Sequence, residues 1–537
     1  MKYIFISGGV ISGLGKGIAT ASMALLLRSQ GFKVVPMKFD PYLNIDAGTM
    51  NPIEHGEVFV TDDGAETDQD LGHYERFLNE SLTKNSIATQ GSIYWTVLQK
   101  ERNLEYGGTN VDVLTHVTEE ILKRIQQAAN SKDSDIVLIE IGGTAGEYQN
   151  VLFLEANRMM KLKKPEDVLH VHVTYLPIPH SIGEMKSKPA QMSVRDLNAI
   201  GIQPDIILAR AERSLDKSRI QKLAISTGLD PEDIISAPDV TNIYEVPLNF
   251  EGQGLTQRIL SKLKLKGKKG DQLDKWSDFV TKVNEAKKTV KIAIVGKYFA
   301  TGDFTLTDAY ISVIESIKHA SFTQDLRPEV SWIDAGKVLE NVDLLKDYAG
   351  IIVPGGFGAR DIEGKIATVK YARENNIPYL GLCYGMQMAC IEFARNVLGL
   401  TGANTTEVNP DTKNPVIHIM PEQEKKLLAK DYGGTMRLGA WDCKIKPGTV
   451  TEKLYGKDKT SERHRHRYEF NNEYRQQYEE AGMVFSGTSP DGKLVEIIEI
   501  PNHPFFVGSQ FHPELKSRPL SPHPLFMGFI KAAATLK

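Results

Sequence analysis

Near its start the chain reads Ser7-Gly8-Gly9-Val10-Ile11-Ser12-Gly13-Leu14-Gly15-Lys16-Gly17, a lysine set among glycines directly after the apolar run Tyr3 to Ser7. Such a turn presents backbone N–H groups, and the N-terminus of the helix expected over Ile18 to Ser29, to phosphate oxygens. Glycine lets the backbone take positive φ or approach the phosphates closely, and Lys16 adds a cation. Far downstream, Gly381-Leu382-Cys383-Tyr384-Gly385 has the form of a sharp strand-to-helix elbow that exposes a nucleophile between small residues. A thiol at a helix N-terminus is acidified by the dipole, which makes Cys383 the candidate nucleophile. In Phe511-His512-Pro513-Glu514, one intervening residue lets histidine and glutamate share a side of an extended segment. His512 would then move the proton and Glu514 orient the imidazole. A nucleotide site that activates an oxygen and a thiol that cuts an amide imply a synthetase fed by ammonia from glutamine.

The phosphate loop departs from the G-x-x-x-x-G-K-[ST] pattern, with Val10 at the first glycine and Gly17 where a metal-binding hydroxyl belongs. Magnesium must therefore be held by other groups. Candidates are Asp70, at the end of the acidic stretch from Asp62, and Glu140, at the end of the apolar run Ile136 to Ile139, where α/β folds meet ligands. Pro354-Gly355-Gly356-Phe357-Gly358 follows another apolar run and can aim an N–H at a tetrahedral oxyanion beside that of Tyr384. Cys390 and Cys443 read as buried apolar residues.

Two α/β domains must position these groups. Short apolar runs at Tyr3 to Ser7, Lys33 to Lys38, Asp135 to Ile141, Val168 to Thr174 and Asp205 to Ala209 alternate with helical patterns, which predicts a parallel sheet with crossover helices. A second series starts at Val290 to Gly296 and continues through Gly350 to Val353 and Pro378 to Leu382. Between them, Lys262 to Gly270 is lysine-rich and reads as a domain edge with no core-forming face. The expected division is residues 1–266, a linker over 267–290, and residues 291–537. At 537 residues one core does not suffice, and a 41% apolar, 25% charged composition is that of a globular protein. A formal charge of −4 argues against a nucleic-acid partner, and no run approaches the ~18 apolar residues that suggest a membrane span. Three cysteines without metal-ligand spacing favour neither a disulfide framework nor a zinc site, so a cytoplasmic enzyme is expected.

With these residues in hand, the chain resembles the CTP synthases over essentially its full length. The resemblance rests on the phosphate loop, Lys38-Phe39-Asp40-Pro41-Tyr42, His55-Gly56-Glu57-Val58, Leu71-Gly72-His73-Tyr74-Glu75-Arg76, and Glu462-Arg463-His464-Arg465-His466-Arg467-Tyr468-Glu469. It implies a P-loop-type parallel-sheet amidoligase domain that phosphorylates UTP with ATP, joined to an α/β class I glutaminase domain that supplies ammonia through an internal passage. By position, Gly13, Leu14, Gly15, Lys16, Gly17, Ile18, Asp70, Pro238, Asp239 and Val240 correspond to ATP contacts, with Asp70 and Glu140 on Mg2+. Ser12, Glu147, Tyr148, Gln149, Lys186, Ser187, Lys188, Pro189, Ala190, Gln191 and Lys222 resemble a UTP or CTP site. Gly356, Tyr384, Gly385, Met386, Gln387, Glu407 and Arg467 resemble glutamine contacts around Cys383, His512 and Glu514. Lys38 would neutralise the transferring phosphate. The family pattern also implies CTP feedback inhibition, GTP activation, with Tyr106-Gly107-Gly108 in a loop near the GTP site, and a homotetramer. Two departures are local: Tyr384 stands where relatives commonly carry leucine, and Gly13 replaces a frequent serine.

Two other classes share parts of this pattern. An amidotransferase acting on a cofactor carboxylate would not need the lysines of Gly183 to Gln191, which suit a triphosphate. A partition-type ATPase with a decayed amidase would not need the complete Cys383, His512 and Glu514 set.

Overall fold

The computed structural model describes residues 1–181, 183–268, 270–297, 300–301, 304–305, 308–420, 423 and 433–536. The chain divides into two compact units, residues 1–46 with 73–280 and residues 47–72 with 281–537.

In the first unit, seven parallel strands lie in the order Ile87–Thr89, Val34–Asp40, Ile136–Ile141, Lys2–Gly8, Val168–Tyr175, Ile206–Ala211 and Ile234–Pro238. Helices cover both faces, so both alternating side-chain sets are apolar. Ile4, Ile6, Leu138 and Val171 pack with Met23 and Leu27 of the helix Lys16–Ser29. Tyr3, Phe5, Val137 and Ile139 pack instead with Ile121, Ile125 and Phe153. The central strand Lys2–Gly8 delivers the phosphate loop from its C-terminal end. Its neighbour Ile136–Ile141 brings Glu140 to the same end, in register with Ile6 on one side and Lys38 on the other.

Residues expected as a linker contain the helix Gln272–Glu285. Leu273, Trp276, Phe279 and Val280 are its buried stripe, and the Trp276 indole donates to Tyr244 O at 2.8 Å. The lysine-rich segment is also anchored. Leu263 is buried, Lys262 pairs with Asp233 at 2.8 Å, and the Lys268 and Gly270 N–H groups donate to Gln30 O and Ser29 O. Lys269 of this segment lies outside the described residues.

The second unit holds a nine-stranded sheet. Leu326–Asp334, Lys288–Gly296, Gly350–Val353, Tyr379–Leu382 and Phe506–Ser509 run parallel, and Val495–Glu499, Val484–Thr488, Arg437–Ile445 and Lys459–His466 continue it antiparallel. Two apolar cores fill its faces, around Val353, Tyr384 and Met386 on one side and Ile352, Val507 and Phe529 on the other. Residues 47–72 belong to this unit although they precede it by more than two hundred positions. Charge explains the grouping: Arg463 donates to Asp62 at 2.6 Å, Arg465 to Glu66 at 2.8 Å, and the Ser312 N–H to Glu57 at 3.2 Å.

Candidate active sites

The thiol site is built on one backbone contortion. The strand Tyr379–Leu382 turns within one residue into the helix Tyr384–Asn396, and Cys383 at the turn has φ 50° and ψ −97°. A non-glycine residue there is strained and needs tight surroundings to persist. A Cβ on Gly385 would collide with the Val353 carbonyl, so glycine next to the elbow is required for the helix to approach the sheet. The Cys383 N–H donates to Ser509 O at 2.7 Å, and Gln510 Nε2 donates to the sulfur at 3.5 Å.

His512 Nδ1 meets Glu514 Oε1 at 2.7 Å. The expected extended segment is instead a 3-10 turn over Pro513–Lys516, with proline at its start, and the carboxylate reaches the ring from that turn. Burial presses the His512 imidazolium down, but Glu514 and Cys383 outweigh it and hold it well above the ordinary histidine value. The three side chains line one cavity of about 70 Å³ with Gly355, Gly356 and Arg465.

The other candidate glutamine contacts are not among the residues that line this cavity. Tyr384, Gly385, Met386 and Gln387 form the buried first turn of the elbow helix. Gln387 Nε2 donates to Tyr468 O at 2.9 Å, and Glu407 accepts from the Gly358 N–H at 2.7 Å. Burial raises the Glu407 carboxyl, opposed by the Gly358 N–H, Lys297 and Lys365. Arg467 donates to Gln423 at 2.7 Å and to Thr435 at 3.0 Å.

At the phosphate loop, Val10, Gly13 and Gly15 all have φ between 72° and 81°. Val10 therefore occupies a glycine conformation with a β-branched side chain, which stores strain at the loop. Gly13, Gly15, Ile18, Pro238, Asp239 and Val240 line one cavity of about 350 Å³ together with Arg210, Asn249 and Phe250. Leu14, Lys16 and Gly17 are buried beside it, and Lys16 Nζ donates to Gly143 O at 2.6 Å. Lys38 is 5% exposed and pairs with Asp40 at 3.2 Å, so it is no surface lysine. Glu140 is 1% exposed and accepts a hydrogen bond from the Tyr74 hydroxyl. Asp70 is grouped instead with the second unit, where it opens the helix Asp70–Leu78 and its N–H donates to Asp68 Oδ1 at 2.8 Å.

The candidate UTP or CTP residues fall on three places in the first unit besides the exposed Ser12. Glu147, Tyr148 and Gln149 lead into the helix Val151–Lys163, with Glu147 Oε1 accepting from the Thr144 N–H at 2.9 Å. Lys186, Ser187, Lys188, Pro189, Ala190 and Gln191 form the start of the helix Lys188–Ala199, where Lys186 pairs with Glu184 at 2.7 Å. Lys222 is exposed on the helix Lys217–Thr227.

Sequence reasoning missed two sets of residues. Ser7, at the root of the phosphate loop, touches His170 Nε2 at 2.8 Å and His172 Nδ1 at 2.9 Å, and His172 continues to Ser193 at 3.1 Å. Burial, then the Lys16 charge, lowers His172 to about 3, so this network is neutral. The two histidines stand on one strand at spacing two, which was the available signal. Glu57 and Arg465 line the thiol cavity; both lay in segments noted for their family likeness but carried no role.

A family model described as CTP synthase N-terminus matches residues 2–265, and one described as glutamine amidotransferase class-I matches residues 305–532. The chain is 51% identical to CTP synthase of Bacillus subtilis over 535 residues, covering 99% of this chain and 98% of the relative. It is likewise 51% identical to CTP synthase of Moorella thermoacetica, with 99% and 98% covered. A solved Trypanosoma brucei CTPS glutaminase domain with bound acivicin shares 37% identity, covering 46% of this chain and 94% of that one, at a TM-score of 0.42. With both domain families present and half the residues shared end to end, the chain belongs to the CTP synthase family, glutamine-dependent ligases that aminate UTP at the expense of ATP.

Proposed function

We propose that the chain divides this reaction between residues 1–266 and residues 291–537, joined through 267–290. The first part transfers the ATP γ-phosphoryl group to O4 of UTP, because a uracil carbonyl oxygen leaves poorly until it is phosphorylated. The second hydrolyses glutamine to glutamate and ammonia, and the ammonia displaces the phosphate. The sum is UTP, ATP, glutamine and water giving CTP, ADP, phosphate and glutamate. The observation that carries the reading is the buried His512–Glu514 pair in one small cavity with Cys383, in a chain that also has a phosphate-loop cavity.

Cys383 passes its proton to His512 and attacks the glutamine amide, His512 hands that proton to the departing ammonia, water then cleaves the resulting thioester to glutamate and the free thiol, and Glu514 holds the imidazole throughout. The N–H groups of Gly356 and Tyr384 receive the oxyanion. Gly385, Met386, Gln387, Glu407 and Arg467 shape and charge the glutamine pocket. Gly13 to Ile18 and Pro238 to Val240 bind ATP, with Lys16 and Lys38 countering charge on the transferring phosphoryl group. Ser12, Glu147 to Gln149, Lys186 to Gln191 and Lys222 bind UTP, and also CTP as feedback inhibitor. GTP acts as activator.

Asp70 and Glu140 would hold Mg2+ together with substrate phosphates. Among the described residues no group of three or more His, Cys, Asp or Glu side chains could hold a metal alone. That suits magnesium, which commonly takes one or two carboxylates and completes its shell with phosphate oxygens and water. When bound it supplies charge neutralisation on those phosphates.

Assembly as a homotetramer is supported by large apolar side chains left exposed on the first unit, among them Trp95, Leu98, Leu104, Val113 and Leu114. Tyr148, assigned to the UTP or CTP site, is 92% exposed, as expected of a site completed by a neighbouring copy. A cytoplasmic setting is supported by three cysteines that are all free. No described helix is long and apolar enough to cross a membrane.

The test is to incubate the protein with each nucleoside triphosphate plus ATP, glutamine and magnesium. CTP formed from UTP alone is the expected result; amination of another substrate would overturn the assignment.

A further inference from the structure

The second unit buries an amine that the thiol chemistry does not use. Lys365 lies in the helix Ile362–Glu374, its residue is 0% exposed, and among the described residues its Nζ has no hydrogen-bond partner. A buried ammonium without a partner is costly, and here the face of the Tyr384 ring, 4.8 Å away, takes the partner's place. Tyr384 directly follows the candidate nucleophile. Its hydroxyl donates to Gly358 O at 2.9 Å, and the Gly358 N–H donates to Glu407 at 2.7 Å. Lys297, at the end of a neighbouring strand, donates to the carbonyls of Phe357 and Gly358 and sits 5.8 Å from the same ring. One aromatic ring thus links the elbow, the loop 355–358 and a buried cation.

We propose that Lys365 is a positioning residue for glutamine hydrolysis: its ammonium, seated on the Tyr384 ring, fixes the loop 355–358 against the elbow and so sets the spacing of the two N–H groups that receive the oxyanion. The inference rests on the assignment of Gly356 and Tyr384 as oxyanion donors. The oxyanion exists only beyond the ground state, so a displaced donor slows turnover more than it weakens glutamine binding. The charge on Lys365 is also adjustable. Burial and then Lys297 press its amine down to about 7, Asp361 and Glu407 oppose them, and Arg360 adds to the lowering. Raising the pH through that range removes the cation from the ring.

The experiment measures steady-state glutaminase kinetics of the full chain, with ammonia-dependent CTP synthesis as the control for folding. Lys365→Met should lower kcat about tenfold with KM for glutamine within about twofold, a fraction of what losing a whole oxyanion donor costs. The ratio of wild-type to Lys365→Met kcat should shrink as the pH rises through the lysine's titration. Lys365→Arg, which keeps a cation, should stay within about threefold of wild type. In a Tyr384→Leu background, Lys365→Met should have no further effect. Unchanged kcat in Lys365→Met, a ratio flat across pH, or equal losses in the Met and Arg variants would overturn the proposal. If Tyr384→Leu itself leaves kcat unchanged, the ring has no role and the proposal also fails. Loss of the oxyanion assignment would appear separately, as a Gly356→Pro variant that retains full glutaminase turnover.

Discussion

Around Cys383 the protein supplies its own partners. The sulfur has Gln510, the imidazole has Glu514, Glu407 has the Gly358 N–H, and the cavity left over is about 70 Å³. Around the phosphate loop the cavity is about 350 Å³, and no described carboxylate cluster can hold a metal unaided. The chemistry explains the difference. A thiol must be paired with its base before substrate arrives, since the nucleophile is made by that pairing. Phosphoryl transfer needs little covalent help from the protein, and much of the site is completed by the ligand's own phosphates and metal. One site should therefore fail residue by residue, and the other should fail as a shared field of charge.

The sharpest way to break the comparison is Cys383→Ala. Glutamine-dependent synthesis should fall by about 10⁴-fold or more, while synthesis from added ammonia stays near wild type. Equal loss of both, measured on a folded variant, would mean the sites are not separable.

Glu514→Gln should come next, at about 10³-fold in glutaminase kcat, because the imidazole loses both its orientation and its counter-charge. The sign of the pH effect follows from the raised His512 value. A histidine whose folded pKa is raised adds stability in full below the ordinary range near about 6.5, and that stability is lost as pH rises through the raised value. The variant should thus be less stable than wild type in acid, with the gap closing on the alkaline side, and its alkaline activity limb should move to lower pH. Thermal melts and pH–rate profiles check both; a limb that does not move would remove Glu514 from this role.

Glu140→Gln probes the other site, and both nitrogen sources should suffer together by about 10² to 10³-fold, with a changed magnesium dependence. Ammonia-dependent activity at the wild-type level would exclude Glu140 from the metal.

These expectations draw on parts of the molecule that were unequally legible. The strands Lys2–Gly8 and Ile136–Ile141 announce themselves because buried parallel strands are continuous apolar runs, and the elbow does so because a nucleophile between glycines is a local pattern. The ATP candidates that line one cavity lie more than two hundred positions apart, and only family resemblance joined Gly13 to Pro238. Pairings such as Arg463 with Asp62, at a separation of 401 residues, leave no periodic trace, so the segment 47–72 could not be assigned to the second unit. The histidines 170 and 172 are hard to read for a related reason: on a buried strand, alternate polar residues look like interruptions until the Ser7 and Ser193 hydroxyls that satisfy them are in view.

The smallest effect concerns how finely the charge field discriminates. UTP and CTP carry the same triphosphate, so Lys186, Lys188 and Lys222, in the role proposed for them, would not tell the two apart; charge recognition would set affinity and the base would be sorted elsewhere. Glu147 to Gln149 are the proposed place for that sorting. CTP should then inhibit competitively with UTP, and Lys188→Ala should weaken both nucleotides by a similar factor of about ten, since an exposed lysine on a phosphate contributes a single screened contact. A substitution at Glu147 should instead change the ratio of CTP inhibition to UTP affinity. Steady-state inhibition at several UTP concentrations separates the cases. CTP inhibition that saturating UTP does not relieve, or a Lys188→Ala variant that loses one nucleotide and keeps the other, would show that the two triphosphates do not share a site.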